Sequence, residues 1–281
     1  MTETQATEQP NAEGQPPLRI RYRVRFEKRD LLRWISHRDL ARLWERLIRR
    51  AALKLSMTEG FHPKPRVGFP SALALGVQSL DEVVELDLAE ELSPAALFKR
   101  LDDDNQPGLV IKSVARLPDK FGKAKLLRSE YTFSFPSDVD MDVVNKNVQE
   151  LLGQESATVE RKGKPLTVTV CEQILRLEVT DDSLQLTLAA CPGASLRPTD
   201  VLDLIGAGDW VENGSLITRQ QVVLEKEFAP EDKTMIALAS DQPGAADESA
   251  DCHRETNTTK PDPLRDISSA SQSGPPQRGD S

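Results

Sequence analysis

The chain has 281 residues, a formal charge of −9 and 38% hydrophobic residues, enough for one large domain or two small ones. The N-terminus carries no apolar segment behind basic residues, and no run approaches the ~20 apolar residues of a membrane span, so a cytoplasmic protein without membrane attachment is expected. Cys171, Cys191 and Cys252 lack metal-type spacing, which argues against a zinc site or a disulfide framework.

Charge is unevenly spread. Residues 18–66 hold fifteen Lys/Arg against five Asp/Glu, a surplus of +10, while the rest of the chain carries −19. A basic unit of this kind suits a polyanion such as RNA, and the acidic remainder opposes indiscriminate binding.

In chain order, residues 1–17 show no apolar periodicity and read as a disordered tail, as do 229–281, which are rich in Asp, Ser, Pro, Gly and Thr. "LRIRYRVRF" (18–26) alternates strictly, with Leu18, Ile20, Tyr22, Val24 and Phe26 on one face and Arg19, Arg21, Arg23 and Arg25 on the other. Period two predicts a half-buried strand with an arginine track pointing away from the core, either solvated or touching phosphate. Ser36 is a good helix N-cap, and Asp39 completes a capping-box-like pair. In the helix that follows, Leu40, Leu43, Trp44, Leu47, Ile48 and Ala51 form a stripe; Arg38, Arg42 and Arg49 lie opposite, flanked by Arg46.

"MTEGFHPKPRVGFPSALALGV" (57–77) places Gly60, Pro63, Pro65, Gly68, Pro70 and Gly76 around Phe61, His62, Lys64, Arg66 and Phe69. It predicts an ordered loop leading into a short strand. "EVVELDL" (82–88) is an alternating strand, "SPAALFKRL" (93–101) a capped helix and "GLVIKSVARL" (108–117) a third extended run. The order is the β-α-β-β-α-β unit of ferredoxin-like folds. After a basic linker (118–127) a similar, more β-rich pattern fills 128–228. Its strands are expected at 129–136, 157–160, 166–170, 173–180, 184–190 and 215–226, and its helices at 140–153 and 197–206. The expected fold class is α+β, with two tandem ferredoxin-like modules, the second irregular.

Ser36, His37 and Asp39 include the residue types of a hydrolase triad, but neighbours opening one helix point in different directions, and capping accounts for them better. His62, beside Lys64 and Arg66, is the stronger candidate: with His37 it offers acid–base chemistry on an RNA 2′-hydroxyl, or alone a hydrogen bond to a base edge. The plainer reading is an exposed loop histidine held by prolines. No phosphate-loop motif, dinucleotide fingerprint or three-cysteine cluster for an iron–sulfur centre is present, so no cofactor is expected. "LDDDN" (101–105) reads as a solvated turn.

Residues 34–76 resemble the bacterial radical SAM-linked, or radical SAM-associated, protein family, a domain of unknown function. The matching positions are Ser36, His37, Asp39 and Leu40; Arg49 and Arg50; Gly60, Phe61, His62, Pro63 and Pro65; and Leu73, Leu75, Gly76 and Ser79. The likeness extends more faintly to about residue 225, and the acidic tail departs from it. The resemblance implies a radical SAM enzyme as partner: that companion would carry the iron–sulfur cluster while this chain presents a substrate, structured RNA such as tRNA or rRNA.

Two alternatives stand beside this reading. Tandem ferredoxin-like folds with a histidine are also similar to metal-independent CRISPR repeat-processing endoribonucleases, although "PGASLRP" and "LIGAGDWVENG" lack their glycine-rich loop. The other alternative is a protein-binding adaptor whose arginine face docks on an acidic partner. The expected interface comprises Arg19, Arg21, Arg23, Arg25, Arg38, Arg42, Arg46, Arg49, Phe61, His62, Lys64 and Arg66 as one anion-binding surface.

Overall fold

The alternating apolar residues of β1 (Ile20–Lys28) face α1 (His37–Arg50), and the first core forms between them. Leu40, Leu43, Trp44, Leu47 and Ile48 of the helix pack on Tyr22, Val24 and Phe26 of the strand, with the Trp44 and Phe26 rings edge to face at 4.9 Å. Burying each such side chain contributes about 1.5–3 kcal/mol. The computed structural model describes residues 18–193, 195–228 and 235–237. Residues 1–17 and most of 229–281, including Cys252, lie outside the described residues.

A short 3-10 helix (Asp30–Trp34) leads from β1 into α1. Then follow β2 (Val67–Gly68), β3 (Gln78–Leu88), α2 (Pro94–Asp102), β4 (Leu109–Arg116), β5 (Leu126–Ser134) and α3 (Met141–Leu152). The chain continues with β6 (Ser156–Arg161), β7 (Lys164–Thr169), α4 (Val170–Gln173), β8 (Ile174–Val179), β9 (Ser183–Ala189), α5 (Pro198–Leu204), β10 (Ile217–Leu224) and β11 (Met235–Ala237).

The result is a mixed α+β fold built on one nine-stranded sheet, ordered β11-β4-β1-β3-β10-β5-β9-β8, with β2 on β3 and β6-β7 as a separate hairpin. In the first half β1 lies between β4 and β3 and pairs antiparallel with both, Val24 facing Val114 on one side and Val84 on the other. In the second half β5 sits between β10 and β9, again antiparallel to both. The halves join where β10 runs parallel to β3 through Thr218↔Gln78 and Arg219↔Ser79.

Three elements differ from the sequence reading. The second strand of the first half shrinks to Val67–Gly68, because the proline-rich stretch before it forms its own hairpin. Residues 235–237, read as part of the polar tail, pair with Ser113–Ala115 of β4 and give that edge strand a partner. Residues 118–125 lie across the sheet: Phe121 O accepts from Arg21 Nη1 at 3.0 Å and Ala124 N–H donates to Glu85 Oε2 at 3.2 Å. Among the described residues no helix is long and apolar enough to cross a membrane.

Candidate nucleic-acid interface

The arginines of β1 emerge on the sheet face opposite α1, where β3 presents carboxylates in register. Arg19 and Arg21 both reach Asp87, at 2.7 and 3.1 Å. Arg23 bonds Glu85 at 2.9 Å, and Arg25 pairs with Asp81 and, at 2.8 Å, with Glu227. Arg23 is only 4% exposed, donates also to Lys226 O and stacks 5.4 Å from the Phe121 ring. The expected outward track is therefore an internal ion-pair ladder, because alternating acids on a paired strand meet alternating bases face to face. For Arg25, burial opposes the charge, and Asp81 with Glu227 outweighs it and raises its pKa.

On α1 the same residue type meets the opposite circumstances. Ser36 Oγ accepts from Asp39 N–H at 3.2 Å and its hydroxyl donates to Asp39 Oδ2 at 2.7 Å. This capping pair starts the helix and holds the exposed Asp39 carboxyl below its usual range, chiefly through that hydroxyl. Arg38, Arg42, Arg46 and Arg49 are all exposed. Arg42 touches Asp39 at 3.4 Å, whereas Arg38, Arg46 and Arg49 have no ion-pair partner among the described residues. Arg50, just beyond, is held by Asp104.

The loop at 57–66 is a hairpin. Thr58 N–H donates to Lys64 O at 2.8 Å, and Arg66 N–H to Ser56 O at 3.0 Å. Gly60 turns the tip with φ +119°, a backbone shape that excludes most side chains. Phe61 at that tip is fully exposed at 102%, with His62, Pro63, Lys64 and Pro65 exposed beside it. Arg66 donates from Nε to Met57 O at 2.9 Å and, with Lys123, borders a small pocket of about 230 Å³ shared with Arg19 and Arg21.

The expected single surface is thus divided. Arg19, Arg21 and Arg66 gather on one face of the first half-sheet, while the free arginines of α1 belong to the helix on the other. His37 packs edge to face on Phe69 at 5.3 Å, at the start of α1, and its buried Nδ1 lacks a hydrogen-bond partner. His62 is exposed on the hairpin rooted at Ser56.

Sequence reasoning missed the seam between the halves. Residues 69–77 cross from one half to the other: Phe69 touches His37, while Leu73 and Val77 enter the second core. Gly76, at φ +83°, lies so close to the Trp34 ring that an added Cβ would sit 3.2 Å from it. Behind this segment opens a cleft of about 1100 Å³ lined by Ser71, Leu75, Ser129, Tyr131, Arg197 and Arg219, among others.

Its floor holds a buried ion pair. Arg219 and Glu82, 4% and 3% exposed, meet at 2.9 Å. Arg219 also bonds Tyr131 Oη at 3.2 Å, Ser71 Oγ at 2.9 Å and Ala72 O at 3.1 Å. Burial opposes the guanidinium charge, but Glu82 and Tyr131 override it and raise its pKa. One signal was available: in "LITRQQVVL" Arg219 shares the strand period of the apolar Ile217, and a charged residue at an inward strand position implies a buried partner. Among the described residues no group of three or more His, Cys, Asp or Glu is placed to hold a metal ion.

Comparison with known proteins gives one family. "Uncharacterized protein conserved in bacteria (DUF2344)" matches over residues 21–198, and no curated protein matches. A matching solved chain, from "Crystal Structure of a Cbf5-Nop10-Gar1 Complex", shares 12% identity at a TM-score of 0.35. The alignment covers 73% of this chain and 49% of that one, so this chain spans about half of that chain's length.

Proposed function

The chain belongs to the DUF2344 family of uncharacterised proteins conserved in bacteria, and we propose that it is a nucleic-acid-binding accessory protein whose contact surface is the outer face of α1. The observation that carries this reading is the set of three exposed arginines, Arg38, Arg46 and Arg49, with no carboxylate partner among the described residues. A cation already paired within the protein gains little from a phosphate, whereas a free one releases condensed counterions from the nucleic acid on binding. Phe61 and Trp34, both exposed, supply flat surfaces on which unpaired bases stack.

In this reading the substrate is structured RNA such as tRNA or rRNA. A radical SAM enzyme, the partner implied by the motif at 34–76, receives it. The fold reading that accompanies it is two ferredoxin-like units joined edge to edge. It is supported by the order β4-β1-β3-β2 in one half and β10-β5-β9-β8 in the other, each with the last strand beside the first.

The test is RNA binding as a function of salt for wild type and the Arg46→Ala/Arg49→Ala double variant. Each lost phosphate contact should flatten the log–log slope by about 0.7–0.9, while the melting temperature stays put. An unchanged slope and affinity would remove α1 from the interface. A protein-binding adaptor is the second reading, favoured by the exposed Leu31, Trp34 and Leu75, an apolar patch beside the helix start. Its signature is a protein complex insensitive to salt and lost in Trp34→Ala.

A further inference from the structure

We propose that the cleft at the seam is a nucleotide-binding site, holding a base against its apolar walls and the attached phosphate at Arg197. The volume of about 1100 Å³ is slightly above the range for small-molecule sites, roughly 300–1,000 Å³, and leaves room for a whole nucleotide. Leu73, Leu188 and Leu196 contribute walls suited to a planar, weakly polar body.

The polar groups are arranged for such a ligand. Ser129 lines the cleft, is 3% exposed, and its Oγ has no hydrogen-bond partner among the described residues. A buried hydroxyl left unmet costs about 1–3 kcal/mol, so a position of this kind calls for a ligand atom or a water. Tyr131 Oη and Ser71 Oγ each accept a bond from Arg219, which leaves their own O–H groups to donate. Three hydroxyls therefore offer hydrogens to carbonyl or ring-nitrogen acceptors, the groups that edge a nucleobase.

Charge decides which end goes where. The guanidinium of Arg219 is already balanced by Glu82, so the floor is neutral overall and suits the base. At the rim Arg197 is exposed and has no ion-pair partner among the described residues, while Lys125 is tied to Glu225 only at 3.8 Å. An anionic phosphate belongs there.

The nucleotide is either free or part of a strand. For the second source the inference rests on the nucleic-acid reading above, and the chain offers a path. Leu75 lines the cleft, its neighbour Gly76 packs on Trp34, and Trp34, with Arg33 stacked 5.0 Å from its ring, lies just before the helix that carries Arg38. A strand lying along α1 would meet this aromatic step at the cleft mouth.

The experiment titrates 5′-AMP, GMP, CMP and UMP into the full chain by calorimetry, alongside an RNA oligonucleotide in the same buffers. Variants are Arg197→Ala, Ser129→Ala and Ala72→Trp, the last placing an indole in the cleft from an exposed position. At least one mononucleotide should bind the wild type, weaken about tenfold in Arg197→Ala as a charge-assisted bond is lost, and fail to bind Ala72→Trp. Ser129→Ala should weaken binding without lowering the melting temperature. Mononucleotide binding that survives both Arg197→Ala and Ala72→Trp overturns the cleft, and so does its absence in a protein that still binds RNA; both results leave the α1 reading standing. Mononucleotide binding that fails in Arg197→Ala, without RNA binding at any salt, keeps the cleft as a free-nucleotide site and overturns the α1 reading instead.

Discussion

Arg19, Arg21, Arg23 and Arg25, in and just before β1, and Arg38, Arg42, Arg46 and Arg49 of α1 are four against four in the same basic stretch of sequence, and they end in contrasting states. Those of the strand face Asp81, Glu85 and Asp87 across the sheet and are covered in part by residues 118–125. Those of the helix face solvent: Arg42 touches Asp39 at 3.4 Å and Arg50 is held by Asp104, while Arg38, Arg46 and Arg49 have no ion-pair partner among the described residues. Counting charge along a chain measures field at long range, but binding needs cations whose charge is not already spent. The strand arginines are tied to carboxylates of β3, and under the proposed function the unpaired helix arginines are the ones that meet a partner.

This contrast breaks most visibly in stability. Arg23→Ala should cost about 3–5 kcal/mol in urea unfolding, because it leaves Glu85 buried without its partner. If Arg23→Ala unfolds at the wild-type midpoint, the ladder is not structural and the comparison collapses.

Lys28 sharpens the comparison with a third kind of cation. It is fully buried at the end of β1 and bonds only carbonyls, Ile35 O at 3.1 Å and Arg33 O at 3.4 Å. Burial lowers its pKa from 10.5 to about 8, with Glu82 pulling it back up and Arg219 pushing it further down. The unfolded chain therefore holds more protons on this group between about pH 8 and 10.5, and stability from this group rises with pH across that window. Melting curves of wild type and Lys28→Met over the same pH range should differ by that rise, which the variant lacks. Parallel curves would mean that Lys28 titrates as though exposed.

The smallest expected effect is the counterpart of the first. Arg46→Ala should move stability by no more than about 0.5 kcal/mol, since its exposed side chain has no ion-pair partner among the described residues. A larger loss, read by the same urea unfolding, would show that the outer face of α1 is structural as well.

Much of the local structure was legible. Alternation in "LRIRYRVRF" predicted β1, and the Ser36/Asp39 cap and apolar stripe predicted α1 nearly to the residue. Strands of the second half followed from the same periodicity, and β9 (Ser183–Ala189) fell within a residue of its expected bounds. The acids that silence the strand arginines were also in view: in "EVVELDL" Glu85 and Asp87 alternate with Val84, Leu86 and Leu88, complementary to the arginines of β1. What could not be read was that these two stretches, about sixty residues apart, are neighbours in register. The seam was illegible for the same reason, since Ser129, Arg197 and Arg219 come from three distant segments and no spacing rule connects them.

By itself, then, the sequence determined the elements, their inward faces and the basic character of the N-terminal unit, because periodicity and capping act within a few residues of the chain. Tertiary structure alone decided which arginines are ion-paired and which have no partner among the described residues, that His37 packs on Phe69, and that a cleft opens where β10 meets β3. Those outcomes depend on strand register and chain crossing, and both are set by packing among residues far apart in sequence.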